Sequence, residues 1–265
     1  MKASLHLHTR LREGKTVLGS TYFSAPFKLA DISQRGLPGC RAMIMNASPG
    51  VLDGDHYDIQ VAMDTGTSLQ LETQAYQRIF KMQGRASQTM EVRMEEDCCL
   101  TYIPHPSVPH RAAHFTGINK IYLEKSCTLA WGEVLTPGRQ LQGEAFSFRH
   151  YQSSTEIFQE GKLVVKDNLV ITPSTINPLG MGQLEGFSHQ ASFLWLSPEG
   201  YEGNYQEKLA QKLAAFTGIR WGISQLPVPG LLVRMVGHKG EQLFTCIQQL
   251  AVLVQPQSKT FAHAF

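Results

Sequence analysis

The sequence predicts a mainly β protein with a small C-terminal α+β part, built as an elongated β-solenoid or sandwich-like body with two helices near the C-terminus. Three observations predict this class. Apolar and polar residues alternate over short stretches through most of residues 1–200, as in strands with one buried face. Glycine or proline separates these stretches, and amphipathic helical spacing appears only after residue 200. No segment recurs at a fixed period, so the sequence favours no named repeat class.

The strand pattern is clearest in residues 60–63, 68–73, 90–94 and 146–148, where polarity changes at every position. Glycine and proline are the residues that tight turns require, so we expect short strands joined by short loops. The turn signals are Gly19, Pro49-Gly50, Asp53-Gly54, Gly66, Gly84, Pro104, Gly117, Pro137-Gly138, Gly143 and Gly161.

The C-terminal quarter has a different pattern. A helix is predicted to begin after Asn204, which can cap it together with Glu207, and to end at Gly218. A second helix is predicted over residues 240–254, and residues 231–236 between the two read as a strand. No stretch is rich enough in Gly, Ser or Pro to act as a linker. We therefore expect one domain over residues 1–265, with a β body at about 1–200 and a helix-containing end at about 201–265.

Composition excludes several functional classes. The formal net charge is +2, and no run of five basic residues occurs, so we expect no nucleic-acid partner. The apolar stretches are too short to cross a bilayer, and the N-terminus lacks the apolar core of a signal peptide, so we expect no membrane partner. Five cysteines without metal-type spacing indicate reduced thiols, and hence a cytoplasmic protein.

Motifs of known enzymes are absent. The sequence contains no phosphate-binding P-loop, no GxSxG nucleophile turn and no HExxH zinc helix. The glycines of residues 180–186 miss the dinucleotide-binding spacing by one residue and open no convincing helix. We therefore expect a protein that is not an enzyme.

Histidines form two candidate metal-binding groups. His6 and His8 are two residues apart on a predicted strand and so lie on the same face, but no third ligand is evident. His105, His110 and His114 are close in sequence, and imidazole suits nickel, copper and zinc. The prolines among them forbid a helix, so a rigid turn with solvent-facing histidines is the simpler interpretation. The role of this second group stays open.

Carboxylates suggest an alternative function. Asp53 and Asp55 flank a glycine, which is typical of a tight turn. The other interpretation is a β-solenoid or sandwich hydrolase that acts on a polar polymer, with Asp53, Asp55 and Glu72 as acid and base candidates. Such chemistry needs two carboxylates in one cleft, and nothing in the sequence places Glu72 near Asp55.

Several segments, taken together and in order, resemble one protein family. They are Thr21-Tyr22-Phe23-Ser24-Ala25-Pro26-Phe27-Lys28, Ser48-Pro49-Gly50 with Gly54-Asp55, Thr73-Gln74-Ala75 with Arg78-Ile79-Phe80, Tyr102-Ile103-Pro104-His105-Pro106-Ser107-Val108-Pro109, and Trp131-Gly132-Glu133-Val134-Leu135-Thr136-Pro137-Gly138-Arg139 with Gly143-Glu144-Ala145-Phe146. Their order and spacing over about residues 15–235 resemble the urease accessory protein UreD, which is named UreH in some bacteria.

The resemblance implies a non-catalytic scaffold, a chaperone of urease maturation. Members bind the urease apoprotein and the helical accessory protein UreF, which recruits the GTPase UreG, and a homodimer within that complex is a further expectation. No cofactor is expected to be tightly bound. Instead, Ni²⁺ is expected to pass transiently through a polar internal channel during metallocentre assembly.

Site residues carried over from the resemblance are few. Asp55 falls on the family's Gly-Asp position and is predicted to lie on the nickel path, and Asp167 is the nearest candidate for a second acidic residue of that path. Arg78 is a candidate for a structural or partner contact. For Glu133 and Arg139, an intramolecular ion pair and a partner contact stay equally open. The histidines of the proline-rich turn match the family only in their prolines.

Overall fold

The computed structural model describes residues 1–198 and 204–256, and it confirms the mainly β class with two helices near the C-terminus. The strands within these residues are β1 (Lys2–Arg12), β2 (Lys15–Phe23), β3 (Phe27–Asp31), β4 (Cys40–Asn46), β5 (His56–Met63), β6 (Ser68–Gln74), β7 (Gln77–Ile79), β8 (Ala86–Met94), β9 (Cys99–Ile103), β10 (Ser107–Pro109), β11 (His114–Leu123), β12 (Thr128–Leu135), β13 (His150–Gln159), β14 (Lys162–Ile171), β15 (His189–Leu196), β16 (Arg220–Gln225) and β17 (Gly230–Gly237). The helices are α1 (Tyr205–Ala214), α2 (Gly240–Leu253) and a short 3-10 helix at Gln140–Gln142.

The strands form two sheets that face each other. A seven-stranded sheet has the order β14-β13-β11-β8-β5-β1-β2. A ten-stranded sheet has the order β16-β17-β15-β12-β9-β6-β4-β3, with the short strands β7 and β10 beside it. From β4 to β13 the long strands alternate between the two sheets, and neighbours within each sheet are parallel. This is the winding of a solenoid, in agreement with the predicted body.

The coils of this solenoid have nearly constant length, although the sequence shows no repeat. Paired positions from β4 to β12 are 29 to 31 residues apart, as in Cys40 with Leu69 and Ser68 with Cys99. The side chains at equivalent inward positions differ greatly in size, because Leu71, Tyr102 and Trp131 are successive neighbours across the sheet. The coil length repeats but the residue types at equivalent positions do not. The sequence therefore shows no detectable period.

Two cores lie on opposite faces of the ten-stranded sheet. The main core fills the space between the two sheets and includes Leu71, Leu100 and Trp131. The second core lies under α1 and α2 and includes Phe193, Trp195 and Ile247. The division of the chain into domains stays a prediction.

The helical end follows the predicted order with corrected boundaries. The predicted strand at 231–236 is β17, and the predicted helix at 240–254 is α2. Asn204 is the N-cap residue of α1, as predicted, but its side chain makes no capping hydrogen bond, and its backbone is left-handed (φ 55°) where side-chain caps are typically extended. The first helix ends at Ala214, before Gly218. Among the described residues, no helix has both the length and the apolar character to cross a membrane.

Candidate functional site

A cavity of about 360 Å³ lies between the two sheets. Aromatic rings from both sheets form much of its wall: Phe27, Tyr57, Tyr102, Phe115, Trp131 and Tyr151. Polar residues form the rest, including Asn46, Gln88, Asn119 and Ser153. An interior with both kinds of lining can hold water or a small polar solute, whereas a wholly apolar one stays dry.

Two of the segments that suggested the family meet at one end of this cavity. Residues 48–51 and 73–78 both line it, and the loop is fixed by a hydrogen bond of 2.8 Å from Val51 N to the carbonyl of Arg78. A Cβ atom on Gly50 would lie 2.3 Å from that same carbonyl oxygen, so only glycine allows this approach. Gln74 and Arg78 are exposed, which places the mouth of the cavity at this end.

Glu133 projects into the cavity and accepts hydrogen bonds from four uncharged side chains. Its Oε1 accepts from Trp131 Nε1 at 2.9 Å, Thr155 Oγ1 at 2.9 Å and Asn119 Nδ2 at 3.1 Å. Its Oε2 accepts from Ser153 Oγ at 2.6 Å. None of the ion pairs among the described residues includes Glu133, and a partner contact of this residue stays a prediction.

The β12 strand explains why this carboxylate points inward. Side chains alternate along a strand, so Trp131 and Glu133 face the interior while Gly132 faces α2. A Cβ atom on Gly132 would lie 2.5 Å from Ile247 Cγ2 of α2, so the glycine lets the helix pack directly on the strand. Burial raises the pKa of Tyr102 and Tyr151, and the Glu133 carboxylate raises both further.

A second, smaller cavity continues the polar interior beyond Glu133. Its volume is about 20 Å³, and it shares Glu133, Tyr151 and Ser153 with the first cavity while also reaching Asp167. Asp167 pairs with Arg234 of β17 at 2.6 Å, with side chains 16% and 51% exposed respectively. This ion pair joins the edge of the seven-stranded sheet to the ten-stranded sheet.

Register brings these polar residues into two facing rows. Asn119, Thr155 and Asp167 are neighbours across the seven-stranded sheet. Glu133, Ser192 and Arg234 are neighbours across the ten-stranded sheet. We name these six residues the polar seam. It runs from the large cavity to the solvent-exposed guanidinium of Arg234.

Asp55 lies outside the cavity lining. Its side chain is 3% exposed, and its Oδ2 accepts hydrogen bonds from Leu52 N at 2.8 Å and Tyr57 Oη at 3.0 Å. Its Oδ1 pairs with the amino terminus of Met1 at 3.1 Å. Burial raises the pKa of Tyr57 to about 12, and the neighbouring Asp55 carboxylate raises it as well. Asp55 therefore fixes the start of β5, whose Tyr57 lines the cavity.

The two predicted arginines differ in their surroundings. Arg78 is exposed at the cavity mouth. Arg139 forms a bidentate pair with Glu144 at 2.7 and 2.8 Å, which is the intramolecular ion pair that the sequence left open. The hydrogen bond from Arg139 lowers the pKa of Glu144.

The histidines of the proline-rich turn point to separate places. The ring of His105 lies 4.8 Å from that of Phe244, and the ring of His110 lies 4.7 Å from that of Phe80. Burial and nearby Arg139 lower the pKa of His110. His114 contacts the ring of His150. Within the described residues, no group of three or more His, Cys, Asp or Glu side chains is placed to hold a metal ion.

The other predicted residues are held by local contacts. His6 and His8 approach different carboxylates, Asp58 at 3.8 Å and Asp64 at 2.7 Å. Asp53 accepts backbone hydrogen bonds from Gln83 and Gly84, both at 3.0 Å.

The carboxylates of the hydrolase alternative share no cavity. Glu72 pairs with Arg41 at 2.6 Å. Asp53, Asp55 and Glu72 all lie outside the lining of the two cavities described above. The structure does not bring these three candidates into one cleft.

Sequence reasoning missed Asn119, Ser153, Thr155 and Arg234. The available signal was the pair Ser153 and Thr155, two polar residues at the inward positions of β13. Nothing in the sequence connects Asp167 to Arg234, since they are 67 residues apart.

Comparison with known proteins identifies relatives over nearly the whole chain. The sequence model of the UreD urease accessory protein family matches residues 1–263. The chain is 37% identical over 249 residues to the urease accessory protein UreD of Flavobacterium johnsoniae, covering 93% of this chain and 90% of that protein. It is 33% identical to the UreD of Acetivibrio thermocellus, over 91% of this chain and 93% of that protein. It is also 33% identical to the UreD of Actinobacillus pleuropneumoniae serotype 5b, over 97% of this chain and 99% of that protein.

Proposed function

We propose that this chain, which belongs to the UreD family of urease accessory proteins, is a non-catalytic scaffold that binds the urease apoprotein and UreF and supports nickel insertion into urease. UreF would bring in the GTPase UreG, and the assembly would act in the cytoplasm. Family membership supports a role in urease maturation. The binding partners and the nickel step are parts of the proposal.

The observation that carries the nickel step is the environment of Glu133. This carboxylate lies in an internal cavity of about 360 Å³, and its donors are uncharged. Glu133 is half-buried, and a carboxylate partly removed from water without a cationic partner is costly unless hydrogen bonds or a cation stabilise it. The four donors stabilise the Glu133 anion. Because none of them is positively charged, the negative charge of Glu133 can still attract a passing divalent cation.

The polar seam supplies a path from that position to the surface. Passage of an ion requires several weak sites and not one tight site. Oxygen atoms of Glu133, Ser192 and Asp167 lie along the seam, and Arg234 stands at its exposed end. Movement of Ni²⁺ past Asp167 would compete with the ion pair of Asp167 and Arg234, so this pair is suited to control release.

Asp55 has a different place in the proposal. Because its carboxylate is held by Leu52, Tyr57 and the amino terminus, it supports the wall of the cavity. A direct contact of Asp55 with nickel stays a prediction, which the comparison of its variants with those of Glu133 can test. No resident cofactor is part of the proposal, and Ni²⁺ is treated as cargo.

The scaffold role is tested by co-expressing the tagged chain with a urease operon. The account predicts that apourease and UreF co-purify with the chain and that urease activity is lost when the chain is omitted. The matched control is the same operon with the untagged chain. It should give active urease, while apourease and UreF are not captured. Fully nickel-loaded urease in the absence of the chain would overturn the proposal.

A further inference from the structure

His114 and His150 form a pair of adjacent imidazoles on the outer face of the seven-stranded sheet. They are direct register partners on the parallel strands β11 and β13. The next residues, Phe115 and Tyr151, are 3% and 5% exposed and belong to the main core. Since side chains alternate along a strand, both histidines point away from the core and from the cavity of Glu133.

The separation of the two rings suits chelation of one metal ion. Their centroids are 5.0 Å apart, with an angle of 48° between the ring planes. A metal bound to one nitrogen of each ring at about 2.1 Å lies about 3.2 Å from each ring centre, so two rings in neighbouring coordination positions have centres about 4.5 to 5.2 Å apart. The observed separation falls in this range without movement of the backbone.

The hydroxyl of Thr172 orients one of the two ligands. His150 Nδ1 lies 3.0 Å from Thr172 Oγ1. When Nδ1 carries the proton and donates to this oxygen, the lone pair is on Nε2, which is the arrangement of a metal-binding histidine held by an outer partner. No other described histidine combines a hydroxyl partner on one nitrogen with a second imidazole in ring contact.

The surrounding charges set the expected strength of the site. Arg85 and Arg149 are close to His114, and their positive charges oppose a bound cation. The Arg149 guanidinium is itself held by the carbonyls of Met82, Gln83 and Gly84 at 2.6 to 3.0 Å. Among the described residues no third His, Cys, Asp or Glu joins the two imidazoles, so water would fill the remaining coordination positions and binding is expected to be weak and exchangeable.

We propose that His114 and His150 bind a divalent late first-row transition metal on the outer face of the seven-stranded sheet, with Thr172 orienting His150. Imidazole ligands suit Ni²⁺, Cu²⁺ and Zn²⁺, and not the oxygen-preferring Mg²⁺ or Ca²⁺. This site is separate from the polar seam and does not rest on the proposed function.

The test uses the full chain, purified without a polyhistidine tag and titrated with Cu²⁺ and with Ni²⁺. Paramagnetic resonance of the Cu²⁺ form should show two imidazole nitrogens bound to the metal. Calorimetry should show Ni²⁺ binding that His114→Ala or His150→Ala weakens by at least about tenfold, because loss of even an outer partner of a metal-bound histidine costs about 10- to 100-fold. Thr172→Val should weaken binding less than either histidine variant, and Thr172→Ser should restore it.

His56→Ala is the matched control. His56 Nδ1 lies 2.8 Å from Ser87 Oγ on the same face, but no other imidazole of the described residues is in ring contact with His56. This variant should bind the metal as the unmodified chain does. The melting temperature of each variant shows whether it is folded. If an alanine variant does not fold, His114→Asn or His150→Asn takes its place. A single bound nitrogen, or unchanged Ni²⁺ affinity in both histidine variants, would overturn the proposal.

Discussion

The amide of Asn119 and the carboxylate of Glu133 connect the two sheets across the interior, through a hydrogen bond of 3.1 Å. Thr155 donates to the same carboxylate oxygen and also accepts from Asn119 at 3.0 Å, which closes a three-membered network. Such a network fixes the carboxylate in one position. Glu133 is thus both a structural junction between the sheets and the charged group of the cavity.

These two roles of Glu133 can be separated by substitution. Glu133→Ala removes the acceptor of four donors and should lower the free energy of unfolding by about 1 to 3 kcal/mol, as for buried donors left unpaired. Glu133→Gln keeps an acceptor oxygen of the same shape and should cost less. Chemical denaturation of both variants measures the difference. Equal losses would mean that the charge, and not the hydrogen-bond network, stabilises the fold.

Asp55 is expected to matter for stability more than for nickel delivery. Asp55→Ala leaves the buried hydroxyl of Tyr57 and the amide of Leu52 without their acceptor, which should cost about 2 kcal/mol. Asp55→Asn can keep the oxygen that serves both donors, so it should be more stable than the alanine variant. If Asp55→Asn were as stable as the unmodified chain yet failed to support nickel insertion, a direct role on the nickel path would be indicated instead.

Gly132 is expected to be required for the packing of α2. In Gly132→Ala, the new methyl group would meet Ile247 Cγ2 and Ile103 Cδ1, both below 3.0 Å. Overpacking of this kind costs about 1 to 3 kcal/mol. Ile247→Ala removes the closest obstacle, so the double variant should be less unstable than the sum of the two single changes. Additive losses would show that the glycine serves another purpose.

The stability of the fold should fall as the pH is lowered from about 6.5 to 4. Burial, with a smaller effect from His238, lowers the pKa of His189 to about 4. The unfolded chain therefore binds the proton more readily in this window, and the folded state loses up to about 3 kcal/mol relative to its stability above pH 6.5. His189→Asn, whose amide nitrogen can replace the contact of Nδ1 with Ser188, should flatten the curve of unfolding free energy against pH. An unchanged slope in this variant would assign the effect to other groups.

The strands and helices were predictable because each carries a periodic pattern that its burial requires. The order of the strands in the sheets was not predictable. Neighbouring parallel strands pair residues that are about 30 positions apart in the sequence, and no local pattern marks such pairs. Inward positions such as Leu71, Tyr102 and Trp131 hold side chains of different volume, so the coil length left no repeat in the sequence.

The site was predictable in part, through family resemblance. Residues 48–51 and 73–78, which carry part of the resemblance, line the cavity, and so does Glu133, whose contacts with Trp131, Ser153 and Thr155 the sequence does not predict. The place of Asp55 on the nickel path stays a prediction, and the structure pairs its carboxylate with the amino terminus of Met1. The pairing of Asp167 with Arg234 depends on how the edge strand β14 packs against β17, which only the fold defines.

In the proposed function, the charge of Glu133 serves nickel delivery. The most direct test is the nickel content of urease produced with the Glu133→Gln chain, compared with urease produced with the unmodified chain at equal amounts of assembled complex. We expect the variant complex to assemble normally and the nickel content per urease active site to fall markedly. An unchanged nickel content in a normally assembled complex would contradict the account.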